Sequence, residues 1–122
     1  MNINPDSEVI QKTLKIIEER ASKKQLINYG ELYPEIGLST ESPEDRKTGA
    51  DVLGEVNIIS LKEKGVMVSA LVVLGGQHYP APGFFEFAVE QGKMNSGVND
   101  FQRLDFWVQE VKKVFEAYDQ RG

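Results

Sequence analysis

The sequence has no cysteine and a single histidine, His78. Without cysteine there is no disulfide framework, no thiolate metal site and no cysteine nucleophile. One histidine excludes a multi-histidine zinc site, though it leaves a single catalytic histidine open. No metal-ligand spacing, serine nucleophile elbow or phosphate-binding loop is present, so no metal and no cofactor are expected. Long apolar runs are missing too. The longest, Val66 to Leu74, is far short of the ~20 residues that span a bilayer, so no membrane association is expected. The first residues, Met1 to Asp6, show no basic patch followed by an apolar stretch. No signal peptide is therefore expected, and the localisation reads as cytoplasmic. Basic residues are scarce in one quarter of the chain. Residues 31–60 set only Arg46 and Lys47 against Glu31, Glu35, Glu41, Glu44, Asp45, Asp51 and Glu55. That quarter alone equals the net charge of the whole chain, -5. Nonspecific nucleic-acid binding needs clustered Lys and Arg to displace counterions from phosphates, and this composition disfavours it.

What remains is an ordinary globular composition: 122 residues, 40% hydrophobic and 27% charged. That length fits one domain, residues 1–122, with a core that holds without covalent staples. Asp6 or Ser7 suits the start of a first helix over about 6–24. Its apolar stripe is Val9, Ile10, Thr13, Leu14, Ile16, Ile17 and Ala21, and its last turn carries Lys23 and Lys24. Asn28 suits the cap of a short helix, Gly30 to Ile36, ended by Gly37. Residues 38–48 are polar, acidic and aperiodic, which predicts a mobile surface loop. Thr48 would then cap a third helix over about 49–64, with Val52, Leu53, Val56 and Ile59 inward and Gly65 as its stop. Ile58 and Leu61 fall off that face, so a second side of the helix is expected to be covered.

Val66 to Leu74 is rich in β-branched residues, which predicts a strand buried on both faces. Its partner would be Leu26–Tyr29, Gln77–Tyr79 or another copy of the chain. A loop punctuated by Gly75, Gly76, Pro80, Pro82 and Gly83 follows, and Phe84 to Gln91 restarts a helix. Asn99 or Asp100 caps the last helix, which runs to about Tyr118. Phe101, Leu104, Val108, Val111, Phe115 and Tyr118 form its main stripe, widened by Trp107 and Val114.

Two stretches carry resemblances. Ile27-Asn28-Tyr29-Gly30-Glu31-Leu32, followed by Ile36-Gly37-Leu38 and a further helix, resembles winged helix-turn-helix domains of the alkyltransferase-like type. The likeness covers about residues 25–65 and implies a trihelical core with a β wing. The repair chemistry of those enzymes needs a Pro-Cys-His-Arg site, which a chain without cysteine cannot form. The helix that would read DNA carries Asp51, Glu55 and Glu63, and carboxylates repel phosphates. Second, Ser69-Ala70-Leu71-Val72-Val73 and Pro80-Ala81-Pro82-Gly83-Phe84-Phe85 join the Tyr-Gly-Glu-Leu entry and the aromatic last helix. Together they resemble an uncharacterised family of small bacterial and phage-associated proteins. Ala81 stands where that family has the first glycine of its loop. The likeness brings no known activity with it.

The candidate binding residues are Tyr29, Glu31, His78, Tyr79, Pro82, Gly83 and Glu86. Tyr29 opens the short helix beside Glu31. The Pro-Gly turn at Pro82-Gly83 can aim free helix amides at an anion or a carbonyl. His78 and Glu86 flank that turn and are the candidate acid/base pair. The plainer readings are a packed helical corner at Tyr29, a rigid turn whose phenylalanines fill the core, and an exposed loop histidine. The acidic block reads as the footprint of a basic partner, as a mimic of nucleic-acid charge, or as a solvated loop.

The expected fold is α+β and mostly helical: a winged-helix-like trihelical core with a central strand and a C-terminal aromatic helix. The leading functional expectation is a small non-enzymatic binding or accessory module that acts through a protein partner, in a phage or mobile-element setting. The alternatives are a small enzyme or ligand-binding protein built on the Gly75–Glu86 loop, a DNA-binding winged-helix protein, and a self-associating protein joined through Trp107 and Tyr118.

Overall fold

The computed structural model describes residues 7–76 and 79–119. In chain order the elements are α1 (Ser7–Ser22), β1 (Ile27–Asn28), α2 (Tyr29–Glu35), α3 (Pro43–Lys64), a 3-10 helix (Val68–Leu71), β2 (Val72–Val73), α4 (Pro82–Glu90) and α5 (Asp100–Ala117). The protein is α+β and mostly helical. Among the described residues no helix is long and apolar enough to cross a membrane.

Helix α1 buries Thr13, Leu14, Ile17 and Ala21, the stripe its spacing predicts. The expected cap at Asp6 or the Ser7 side chain lies outside the described residues. Lys23 and Lys24 fall past the helix end rather than in its last turn, which carries Arg20. Lys24 takes a left-handed conformation, φ 56. Asn28 caps α2 as expected. Its side chain accepts from the Glu31 amide at 2.8 Å, and the Glu31 carboxylate accepts from the Asn28 amide at 3.2 Å. This reciprocal pair satisfies two amides that the helix start would otherwise leave free.

Helix α3 starts six residues before the expected place and corrects the reading of 38–48 as a mobile loop. Ser42, not Thr48, is the cap, and Pro43 occupies the first turn, where its missing N–H costs nothing. Glu44 and Asp45 then face the positive end of the helix dipole. The remaining loop is tied to the helix it precedes. The Ser39 amide donates to Asp45 at 2.9 Å, and Arg46 donates to the Thr40 carbonyl at 3.0 Å. Gly65 ends α3 in the left-handed region, φ 72, as its position predicts.

The central segment has the expected burial but not the expected ladder. Val66 to Val73 are all buried, yet only Val72 and Val73 form strand. They pair in parallel with Ile27 and Asn28, one of the predicted partners. The preceding residues coil into the 3-10 helix because side chains from α3 and α5 take their backbone groups. The Met67 amide donates to Glu110 at 2.9 Å, Val68 to the Ser60 hydroxyl at 3.3 Å, and Ser69 to the Asn57 side-chain oxygen at 2.9 Å. Ser60 also donates to the Val66 carbonyl at 2.6 Å, and the Trp107 ring N–H donates to the Ala70 carbonyl at 2.8 Å. Buried backbone groups need partners, and here polar side chains supply what a neighbouring strand would have supplied. Helices α1, α3 and α5 all pack on this segment.

Helix α5 is capped by Asn99 as predicted, and Val108, Val111, Phe115 and Tyr118 of its expected stripe pack on the core, but the start of the stripe does not. Trp107, Glu110 and Val114 are buried, while Phe101 is 78% exposed and Leu104 43%. The hydrogen bond that Glu110 accepts and the one that Trp107 donates fix which side of the helix meets the core. Helix α4 begins at Pro82, and Phe84, Phe85 and Ala88 enter the core.

Candidate functional site

A cleft of about 1260 Å³ lies between α3 and α4, with the start of α2 at its base. The element order explains it. Ser69 of the 3-10 helix lies at the base, Leu74 and Gly75 follow β2 along it, and the chain enters α4 through Ala81. The first wall is α3, where Asp51, Gly54, Glu55 and Ile58 line the cleft. The second wall is α4, which contributes Gly83, Phe84, Glu86, Phe87 and Glu90. Steps of three and four residues bring each set onto one helix face.

The base is closed and chemically quiet. Asn57 donates to the Ser69 hydroxyl at 2.7 Å and accepts from the Ser69 amide, so both polar side chains are satisfied. Tyr29 stands beside them with its ring edge against Tyr33, centroids 5.5 Å apart. Its phenol pKa is pushed up to about 12, by burial first and by Tyr33 second, while a hydrogen bond from the Ala81 backbone pulls the other way. Tyr29 therefore stays neutral and serves as a packed wall. Tyr33 is buried where its ring crosses α3. A Cβ at Gly49 would collide with the Tyr33 hydroxyl, so only glycine fits there without repacking.

The rim is charged. Asp51, Glu55, Glu86 and Glu90 are exposed, and among the described residues none has a cationic side chain within 4.0 Å. Each helix carries its two carboxylates four residues apart, a spacing at which like charges repel. Arg46 and Lys47 line the end of the cleft near the start of α3, beside Glu44 and Asp45.

Of the residues singled out from the sequence, Tyr29, Gly83 and Glu86 meet in this cleft. Glu31 does not. It caps α2 and pairs with Arg20 at 3.0 Å, and that guanidinium holds its carboxyl below the usual range. Tyr79 packs against Phe85 and Trp107 at ring separations of 5.5 and 5.8 Å, while its carbonyl accepts from Leu74. Its role is to close the loop onto the core. Pro82 is an exposed first-turn residue of α4 outside the cleft lining. His78 lies outside the described residues, and with it the proposed pairing to Glu86. The amides at the start of α4 are partly used, since Phe84 donates to the Ala81 carbonyl at 3.0 Å. Glu86 and Glu90 on the same helix further disfavour an anion there.

Trp107 and Tyr118 do not form an exposed aromatic surface. Trp107 is buried. The Tyr118 hydroxyl is enclosed and has no hydrogen-bond partner among the described residues, and its ring lies under the Lys64 ammonium at 5.5 Å. Sequence reasoning missed Gly54, Ile58 and Glu90 as parts of a site. The available signal was Ile58, which stands off the apolar stripe of α3 and is 47% exposed rather than covered by a second side. Among the described residues no three His, Asp or Glu side chains cluster to hold a metal ion. No protein-family model, curated protein or solved structure matches the chain.

Proposed function

We propose that the protein is a small non-enzymatic binding module that acts through a protein partner seated in the α3–α4 cleft. The cleft carries this reading. At about 1260 Å³ it exceeds the ~300–1,000 Å³ of ordinary small-ligand sites. Its walls are helix faces that carry Ile58 and Phe87 below a charged rim, the layout of a surface that takes up a segment of another protein. The order α1–α2–α3 supports a winged-helix-like core. The described sheet is a parallel pair of two-residue strands, however, and supplies no hairpin wing. With Asp51 and Glu55 on the open face of α3, a phosphate backbone is a poor occupant. The likeness to small bacterial and phage-associated proteins makes a mobile-element setting the natural place to look for the partner.

Gly54→Leu tests the cleft. Its Cβ would meet the Phe87 ring at an ordinary 3.9 Å, and leucine suits a helix interior better than glycine by ~0.5–1 kcal/mol, so the variant is expected to fold, which its circular dichroism and melting curve check. A protein captured from source cells by the wild type and lost with Gly54→Leu supports the reading. A partner retained by the filled cleft overturns it. In a mobility-shift assay at low salt, neither duplex nor single-stranded DNA is expected to bind. Tight, salt-sensitive binding there would contradict a protein partner.

A further inference from the structure

Resting on the cleft reading above, we infer that the occupant is a lysine- or arginine-bearing segment of a protein whose apolar side chains lie against Ile58 and Phe87 between the walls. Charge complementarity selects it. Asp51 and Glu55 on one wall and Glu86 and Glu90 on the other are exposed and unpaired among the described residues. Within each helix the four-residue spacing makes them repel, a cost that a cation lying between the walls removes. Between these rows lies apolar surface, including Ile58 at 47% exposure and the Phe87 ring. A simple solvated acidic face needs no such apolar surface. An amphipathic basic segment satisfies both features at once, with its ammonium or guanidinium groups on the rim and its apolar side chains between. Gly83 leaves the α4 wall without a side chain and with nothing within 4 Å of where a Cβ would stand, so the segment's backbone can come close there.

The test uses the full chain and a fluorescently labelled lysine–leucine peptide, with a glutamate–leucine peptide of equal length as its counterpart. Anisotropy reports binding. The lysine peptide is expected to bind and the glutamate peptide not. Affinity should fall about tenfold or more between ~50 and ~200 mM salt. Replacing the rim together (Asp51→Asn, Glu55→Gln, Glu86→Gln, Glu90→Gln) should cost about fifteenfold, as four screened pairs each worth a factor of about two predict. A control with the same change of net charge elsewhere (Glu19→Gln, Glu35→Gln, Asp105→Asn, Glu116→Gln) should keep nearly full affinity. No binding of the lysine peptide, equal binding of the glutamate peptide, or equal losses in both variants would overturn the basic occupant. The cleft reading fails separately. It falls if Gly54→Leu keeps the partner it captures, and it stands if the captured partner is lost while the lysine peptide never binds.

Discussion

Tyr29 shows how a residue singled out for chemistry can turn out to matter through its lack of charge. Burial raises its pKa to about 12, so the folded protein holds the phenol neutral where an unfolded chain, at about 10, already loses the proton. Between those values the unfolded state binds fewer protons, and stability falls as pH rises. A shift of this size corresponds to roughly 2 kcal/mol by the upper end of the window. Tyr118, with its pKa also raised to about 12 and burial as the first cause, adds to the same fall. Urea midpoints measured at about pH 9 and about pH 11 should therefore drop for the wild type. Tyr29→Phe should lose part of that drop, and an unchanged drop would place Tyr29 in solvent. Gly49 is a residue that no sequence pattern marks. Its need arises only because Tyr33, far along the chain, crosses α3 at that point.

Among the elements, the helices were the most readable and the central segment the least. Stripes at helical spacing and the caps Asn28 and Asn99 locate α1, α2 and α5 from local chemistry alone. The early start of α3 was also written locally, in Ser42-Pro43-Glu44-Asp45, but the acidic, aperiodic character of 38–48 masked it. Val66–Leu74 is different in kind. Its burial follows from its apolar side chains, whereas its conformation depends on Asn57, Ser60, Trp107 and Glu110, which approach from other helices. Glu110 tests this directly. It is 6% exposed, and its carboxylate accepts from the Met67 amide. Glu110→Ala leaves that amide buried without a partner and should cost about 1–3 kcal/mol. Glu110→Gln keeps an acceptor and should cost clearly less. Chemical denaturation of both variants gives the comparison, and equal losses would mean that the hydrogen bond does not hold the segment.

Across the whole molecule, charge read along the chain and charge read in space tell different stories. The acidic quarter, residues 31–60, looked like one feature. In the fold it divides: Glu31 binds Arg20, while Glu44, Asp45, Asp51 and Glu55 line the cleft, Asp45 also anchoring the Ser39 turn. Their companions Glu86 and Glu90 come from a stretch whose local balance drew no attention. The disfavour toward nucleic acid could be inferred from sequence, but the groove itself could not, because its two walls are far apart in the chain. Backbone amide shifts followed by NMR during titration with the lysine–leucine peptide provide the decisive measurement. Perturbations concentrated in residues 51–58 and 83–90 are the predicted result. Perturbations centred instead on the exposed Phe101 and Leu104 of α5, with the α3–α4 walls silent, would contradict the account.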